Sequence, residues 1–480
     1  MNSLKHLRRG PEGLTVVLGG GLSGLAAGYV LGKAGRKAVI FESGPEVGGL
    51  SRTIVKDGFR FDLGGHRFFT KDKAVEDFVR ELMDGELVEV SRKSKIYLRG
   101  KYFNYPLKPL NSMFGLGPAM TFKILFDYGK ERLKEVVNPK GRGTAPNIAG
   151  ARSADFVAGR ACLEDWVVRN FGRTMFDLYF KPYSEKVWGI DCKDISAEWV
   201  EKRIQGLSLG TAIKNAFFRL YRDIPTLADR FLYPRLGIGR ISERMEEEIE
   251  KHKNPVHTGM SVVRVDHNGR QIEGIEVGGN GGGARRLEGA DFISSIPLNA
   301  LVGMLRPLPP GDVLDAAGRL RYRDLVIVSV MVDRPGVTDQ TWIYMPGRDI
   351  PFGRIHEPKN WSPDMCPEGK TLVVAEYFCF KGDGTWSRTD GELSGLTVDC
   401  LEGLGFFKKA EVSDSMVVRV PNAYPLFDVG YRGHVDKIVS YLDRFENLHI
   451  AGRSGMFRYY NMDHAIQSGI EAAKGVMDAA

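Results

Sequence analysis

Three glycines and one carboxylate carry the most specific spacing in the chain. In LTVVLGGGLSGLAAGYVLGKAGRKAVIFE (14–42) an apolar run ends at Leu18 and enters Gly19-x-Gly21-x-x-Gly24. A helical run follows to about Ala34, Gly35 stops it, and Lys37–Glu42 forms a second strand ending in an acid. Gly19 permits a tight turn, Gly21 lets a pyrophosphate reach the backbone, and Gly24 lets helix and strand pack closely. The helix N-terminus offers free N–H groups and its positive dipole end to the phosphates. Glu42 stands where a carboxylate takes the hydroxyls of an adenosine ribose. The spacing predicts a dinucleotide site and by itself does not separate NAD from FAD.

Later segments make that separation. VGGLSRT (47–53) supplies Gly49, Ser51 and Arg52, and FRFDLGGHRFF (59–69) supplies Gly64, Gly65 and His66. Near the far end, NLHIAGRSGMFRYYNMDHAIQSGIEAA (447–473) reads as strand, Gly452-Arg453 turn and another helix beginning near Met462 and Asp463. An extended FAD needs such contacts along its phosphates, ribityl chain and ring, which a nicotinamide cofactor in a simple half-fold does not. No Cys or His attachment motif is evident, so the FAD is expected to be non-covalent, and NAD(P)H is compatible as an external reductant. The histidines show no HExxH, no Cys/His cluster has metal-ligand spacing, and no GxSxG elbow occurs. The chemistry should therefore belong to the flavin, with protein groups orienting and neutralising the substrate.

A third feature is FDLYFKPYSEKVWGI (176–190), rich in aromatics among charges. Pro182 is expected to break the helix there, with Tyr183 and Trp188 continuing into an irregular segment. Such a stretch either caps a core or lines a pocket for something flat and polar.

The elements that must hold these residues follow from length and pattern. The 480 residues predict two or three domains at ~100–200 residues each. A net charge of +7 without a basic block argues against nucleic acid and suits an anionic small molecule as well as a merely soluble surface. Cysteines 162, 192, 366, 379 and 400 form no CxxC pair, which predicts reduced thiols and a cytoplasmic protein. No apolar run reaches the ~18 residues of a spanning helix, and the polar start is unlike a signal peptide. Residues 70–235 look mostly helical, and 130–153 reads as a basic, glycine- and proline-containing loop, solvated in preference to the alternative that it touches a membrane surface. Residues 261–279 form a hairpin around Asn268-Gly269, 290–297 is an apolar strand, and strand-like runs from 325 onward predict an antiparallel sheet.

The glycine fingerprint, GGLSRT, DLGGH and the terminal AGR…MD helix resemble the FAD-binding clan of amine oxidases, protoporphyrinogen oxidases and UDP-galactopyranose mutases. The resemblance implies an α/β fold with a Rossmann-type FAD-binding domain in three pieces (1–95, 236–300 and 430–480). A mostly helical substrate or cap region (96–235) and an antiparallel-sheet substrate domain (301–429) complete it. It also places Val263 near the adenine. YFKPYSEKVWG (179–189) resembles the mutases' FFxGYTxKQWG, which makes Tyr183 and Trp188 a platform for a nucleotide sugar. PFGRIHEPKNWSP (351–363) resembles YTRITEHKHF, and GRSGMFRYYNMD (452–463) resembles GRLGTYRYLDMD. These imply diphosphate contacts from Arg354, Arg453 and Tyr459, with Asn461 standing where the mutases carry Asp. GGHRFFT resembles GPHIFHT and puts His66 beside the flavin ring. Of the mutases' KRIPVR only Lys202 and Arg203 remain, and FLYPRLGIGRISERM (231–245) looks more like the protoporphyrinogen-oxidase branch. The favoured expectation is a mutase-like enzyme for pyranose–furanose interconversion with reduced flavin N5 as nucleophile, His66, Arg354 and Arg203 lying closest to the chemistry. The alternative is an oxidoreductase removing hydride from an apolar or amine substrate. A homo-oligomer is compatible with either.

Overall fold

A computed structural model describes residues 13–105, 116–137, 161–198, 230–279 and 283–479. Arg203 and Lys202 lie outside the described residues. One sheet is wholly parallel, in the order Leu448–Ile450, Asp291–Ser294, Thr15–Leu18, Ala38–Phe41, Val256–His257. The Thr15–Leu18 and Ala38–Phe41 strands are buried at every position, which is why they read as continuous apolar runs without alternation. Helices Leu22–Lys33, Arg240–Lys251 and Met462–Asp478 pack around this sheet. The first and last of these meet closely: a Cβ on Gly469 would lie 2.0 Å from the Ser23 carbonyl oxygen.

The hairpin Met260–His267 and Ile272–Gly279 closes through Asn268, whose Oδ1 accepts from the Arg270 and Gln271 N–H groups, with Gly269 at φ +94°. The second large sheet has seven strands in the order Val412–Pro425, Tyr322–Val332, Thr371–Cys379, Arg354–His356, Trp342–Tyr344, Ser94–Leu98, Lys101–Asn104. Its pairs are antiparallel except where Trp342–Tyr344 runs parallel to Ser94–Leu98.

Three sequence expectations change. The Ser94–Leu98 and Lys101–Asn104 hairpin, at the start of the stretch read as helical, is the edge of this sheet. Strand Arg230–Pro234 returns to pair with Leu87–Ser91 beside the first segment. Both are long-range pairings that local pattern cannot reveal. Pro182 does not break the chain into irregular structure. A single π turn at Phe176–Phe180 leads into helix Lys181–Trp188, with Pro182 in its first turn. A helix start needs no N–H from that position, so proline is tolerated. None of the five cysteines is bonded to another.

Candidate functional site

The fingerprint turn is built by steric necessity. Gly19 holds φ +102°, and a Cβ there would sit 2.5 Å from Ser295 Oγ; on Gly24 it would sit 1.9 Å from the Gly19 carbonyl oxygen. At Gly21 a Cβ would meet no heavy atom within 4 Å, so open space lies ahead of helix Leu22–Lys33. That helix has no side-chain cap and no acid in its first turn, leaving its N-terminal dipole for an anion. Glu42 is positioned beside it, accepting from Gly20 N–H at 2.8 Å and Gly44 N–H at 2.7 Å. The hairpin is clipped to the same spot, Gly259 N–H donating to Gly44 O and Met260 N–H to Glu42 O. Val263 sits at the irregularity between Val262 and Arg264 and is 48% exposed. Open phosphate space, a ribose-height acid and an apolar patch fit a dinucleotide.

The other cofactor segments converge on this turn. Gly48 N–H donates to Gly20 O at 2.8 Å, and a Cβ on Gly49 would lie 3.4 Å from Gly21 Cα. Ser51 is buried, and Arg52 Nε donates to Gly49 O at 3.0 Å. Gly452 takes φ +82° because a Cβ there would press within 2.7 Å of Ser23 Oγ. Met462 and Asp463 begin the last helix, Asp463 Oδ1 lying 3.0 Å from His464 Nδ1. The FLYPRLGIG stretch serves the same assembly. Buried Asp62 accepts from Thr53 Oγ1 and Tyr233 Oη, both at 2.6 Å, and from Ile238 N–H at 3.1 Å. Burial pushes its carboxyl up to about 6.

The second sheet presents its charged groups along one rung. Tyr344 stands opposite Arg354, and Arg354 opposite Glu376, so all three share a face. Arg354 Nε and Nη2 each donate to Glu376 at 2.6 Å, and Nη2 also reaches Tyr424 Oη at 3.1 Å. Glu376 in turn accepts from Gly65 N–H at 3.1 Å, tying the rung to the loop that carries His66. Burial pushes the Glu376 carboxyl up, but the Arg354 guanidinium more than offsets this and holds it well below the usual range. Gly64 takes φ +100°, and a Cβ on Gly65 would strike Trp342 Nε1 at 2.3 Å.

His66 completes the corner. Its Nδ1 is buried without a hydrogen-bond partner. Burial, then the Arg453 charge, lowers its pKa to about 4, Glu376 opposing, so the ring is neutral near pH 7. Arg453 lies between Tyr424 and Tyr459, its Cζ 5.1 and 5.8 Å from their ring centroids. It donates to the Tyr460 and Ala423 carbonyls and has no carboxylate partner among the described residues. Asn461 is exposed at the start of the last helix.

Helix Lys181–Trp188 brings the aromatics over this corner. Lys186 Nζ donates to the Met345 and Ile350 carbonyls at 2.7 and 2.8 Å and also to Gly347 O. Arg323 donates to Val187 O at 2.9 Å and Phe378 O at 2.8 Å. Both cations pin the helix to the sheet. Tyr183 stacks on Tyr179 at 6.0 Å and meets Tyr344 edge-on at 5.8 Å. Trp188 corrects an expectation: it is 3% exposed and packs against Tyr424 and Phe427. Its ring backs Tyr424 and leaves no open face for a nucleotide. Sequence reasoning missed Glu376, Tyr344 and Tyr424; a lone acid inside TLVVAEYFCF was the signal for the first.

Known proteins were compared with this chain. The model for the flavin containing amine oxidoreductase family matches residues 22–477. A probable UDP-galactopyranose mutase of Klebsiella pneumoniae is 22% identical over 466 residues, covering 95% of this chain and 93% of its own. The chloroplastic protoporphyrinogen oxidase of Oryza sativa subsp. japonica is 23% identical over 474 residues, covering 91% and 83%. A crystal structure of reduced UDP-galactopyranose mutase superposes with a TM-score of 0.79 at 22% identity, over 97% of this chain and 94% of the other. At such identities the likeness carries the fold.

Proposed function

From the premise that this chain belongs to the flavin containing amine oxidoreductase family, we propose that it is a UDP-galactopyranose mutase-like flavoenzyme acting on a nucleotide-diphosphate sugar. The observation that supports this reading most is the corner built on Arg453, which has no carboxylate partner among the described residues, with the Glu376-paired Arg354 sharing Tyr424 with it and tyrosines 183, 344 and 459 around them. The uncompensated Arg453 charge suits a diphosphate better than it suits an amine cation.

Glycines 19, 21, 24, 49, 64, 65 and 452, with Glu42, Ser51, Arg52, Val263, Met462 and Asp463, would hold the FAD non-covalently. When bound and reduced, the flavin supplies the nucleophilic nitrogen for pyranose–furanose interconversion. Arg453 takes the diphosphate charge as the sugar–phosphate bond lengthens, and its fixed position costs little reorganisation. Arg354 contributes from behind a bidentate bond to Glu376, leaving Nη1 and part of its field for the phosphate. Neutral His66 can donate or accept a hydrogen bond toward the flavin without adding a further positive charge. Tyr183 and Tyr344 offer ring faces and edges to the nucleotide.

The oxidoreductase alternative draws on the missing IPVR after Arg203, which lies outside the described residues, and on FLYPRLGIG, whose Tyr233 is fully buried against Asp62 and whose Gly239 N–H donates to Thr53 Oγ1 at 2.8 Å. Those residues brace the cofactor half, so they weigh little on substrate choice. The test is turnover of nucleotide hexoses under dithionite. Many turnovers per flavin without net reductant use are expected, and reconstitution with 5-deazaFAD should abolish them. Equal turnover by the deaza protein, or stoichiometric reductant consumption, would reject the mutase reading.

A further inference from the structure

We propose that helix Pro118–Val137 docks this protein on an anionic membrane surface. The helix is anchored on one side: Ile124 is buried, Asp127 accepts from Thr174 Oγ1, and a Cβ on Gly172 would press against the Tyr128 backbone. The opposite side is apolar and, among the described residues, uncovered. Phe122 is 71% exposed, Phe126 62% and Leu133 64%, with Leu125 beside them at 42%. Spacings of four and seven put Phe122, Phe126 and Leu133 in one row, about 16 Å long at the helical rise. The two phenylalanines stack at 6.4 Å.

A second row says what covers the first. Lys123, Lys130 and Lys134 are exposed and, spaced by seven and four, line the flank of the apolar row. Among the described residues Lys123 and Lys130 form no ion pair, while Lys134 meets Glu131 at 2.7 Å. Lysine is depleted at protein–protein interfaces, whereas its stem can lie along apolar surface with the ammonium at headgroup height. Exposed aromatics edged by lysines therefore match a leaflet carrying negative lipids. Among the described residues no helix is long and apolar enough to span a bilayer, so the helix would lie in the interface.

The test uses the FAD-loaded full chain and unilamellar vesicles, read by co-sedimentation. Vesicles of phosphatidylcholine mixed with phosphatidylglycerol should bind it, pure phosphatidylcholine much less, and added salt should weaken the binding. Lys123→Ala with Lys130→Ala should reduce partitioning about 25-fold, about fivefold for each basic residue at an anionic surface. Phe122→Ser with Phe126→Ser should reduce it more than tenfold. Flavin content and melting should be unchanged in both, since all four side chains are exposed. No vesicle binding by the parent protein, or full binding by the phenylalanine variant, overturns the proposal. So does light scattering that shows a dimer lost in the phenylalanine variant without any vesicle binding, which would make this face a contact between copies.

Discussion

Removing the Glu376 carboxylate should destabilise the protein far more than removing a surface charge. Its side chain is fully buried, and that of Arg354 is 13% exposed. Taking away one partner of a buried, hydrogen-bonded pair costs about 3–5 kcal/mol because the other charge is left without compensation. Glu376→Ala also orphans the Gly65 N–H, adding about 1 kcal/mol, for a loss of about 4–6 kcal/mol. Arg354→Ala leaves a buried carboxylate with one N–H donor and should cost about 3–5 kcal/mol. In the double variant neither charge remains, so the loss should fall well short of the sum, by about 3 kcal/mol, above the range usual for independent sites. Urea unfolding of the FAD-loaded proteins, followed by flavin signal and circular dichroism, gives the cycle. Single losses below about 1 kcal/mol, or a double loss equal to the sum, would refute the coupling. Arg354→Lys should keep part of the stability but lose the bidentate fork.

Heat should release intact FAD, and Glu42→Ala should weaken its retention; recovered NAD or a covalently held flavin would contradict the cofactor assignment. Trp188→Ala should destabilise by about 3–5 kcal/mol as a core deletion, whereas Tyr183→Ala should weaken nucleotide-sugar binding by about 1–3 kcal/mol, as for other ring stacking, with little change in melting. His66 has its pKa lowered from 6.5 to about 4, so the unfolded chain binds the extra proton in that window and this group's stabilisation rises from about pH 4 to 6.5. Asp62, raised from 3.8 to about 6, acts oppositely, its stabilisation fading as pH rises through that range. The pH slope of stability should therefore drop in His66→Gln relative to the parent, and an unchanged slope would place the His66 titration elsewhere.

The legible parts of the site were those set by nearest neighbours in sequence. Gly19, Gly24 and Glu42 belong to one strand–helix–strand unit, so their spacing encodes their geometry. Glu376 was not legible because its partner is chosen by register: Arg354 and Glu376 meet only once two strands are paired. The resemblance made Trp188 a platform, yet its ring packs inward against Tyr424 and Phe427, and this burial depends on tertiary contacts that a local motif does not show. Pro182 was misjudged because the π turn before it depends on packing across Phe171 and Phe180. The order of the parallel strands, which sets Leu448–Ile450 and Asp291–Ser294 beside Thr15–Leu18, could not be read from composition alone.

A parallel sheet whose strands come from both ends of the sequence sets a timetable for synthesis. Strand Thr15–Leu18 and helix Leu22–Lys33 leave the ribosome first, but strand Leu448–Ile450 and the helix that presses Gly469 onto Ser23 follow more than four hundred residues later. At ribosomal speeds of about 5–20 residues per second, the first helix waits roughly 20–90 s for its cover. Throughout that interval the face of the first helix that meets Gly469 lacks its partner, although strand Ala38–Phe41 and helix Arg240–Lys251 can already pack on it. The packing of Gly469 on Ser23 is therefore among the last contacts that synthesis makes available.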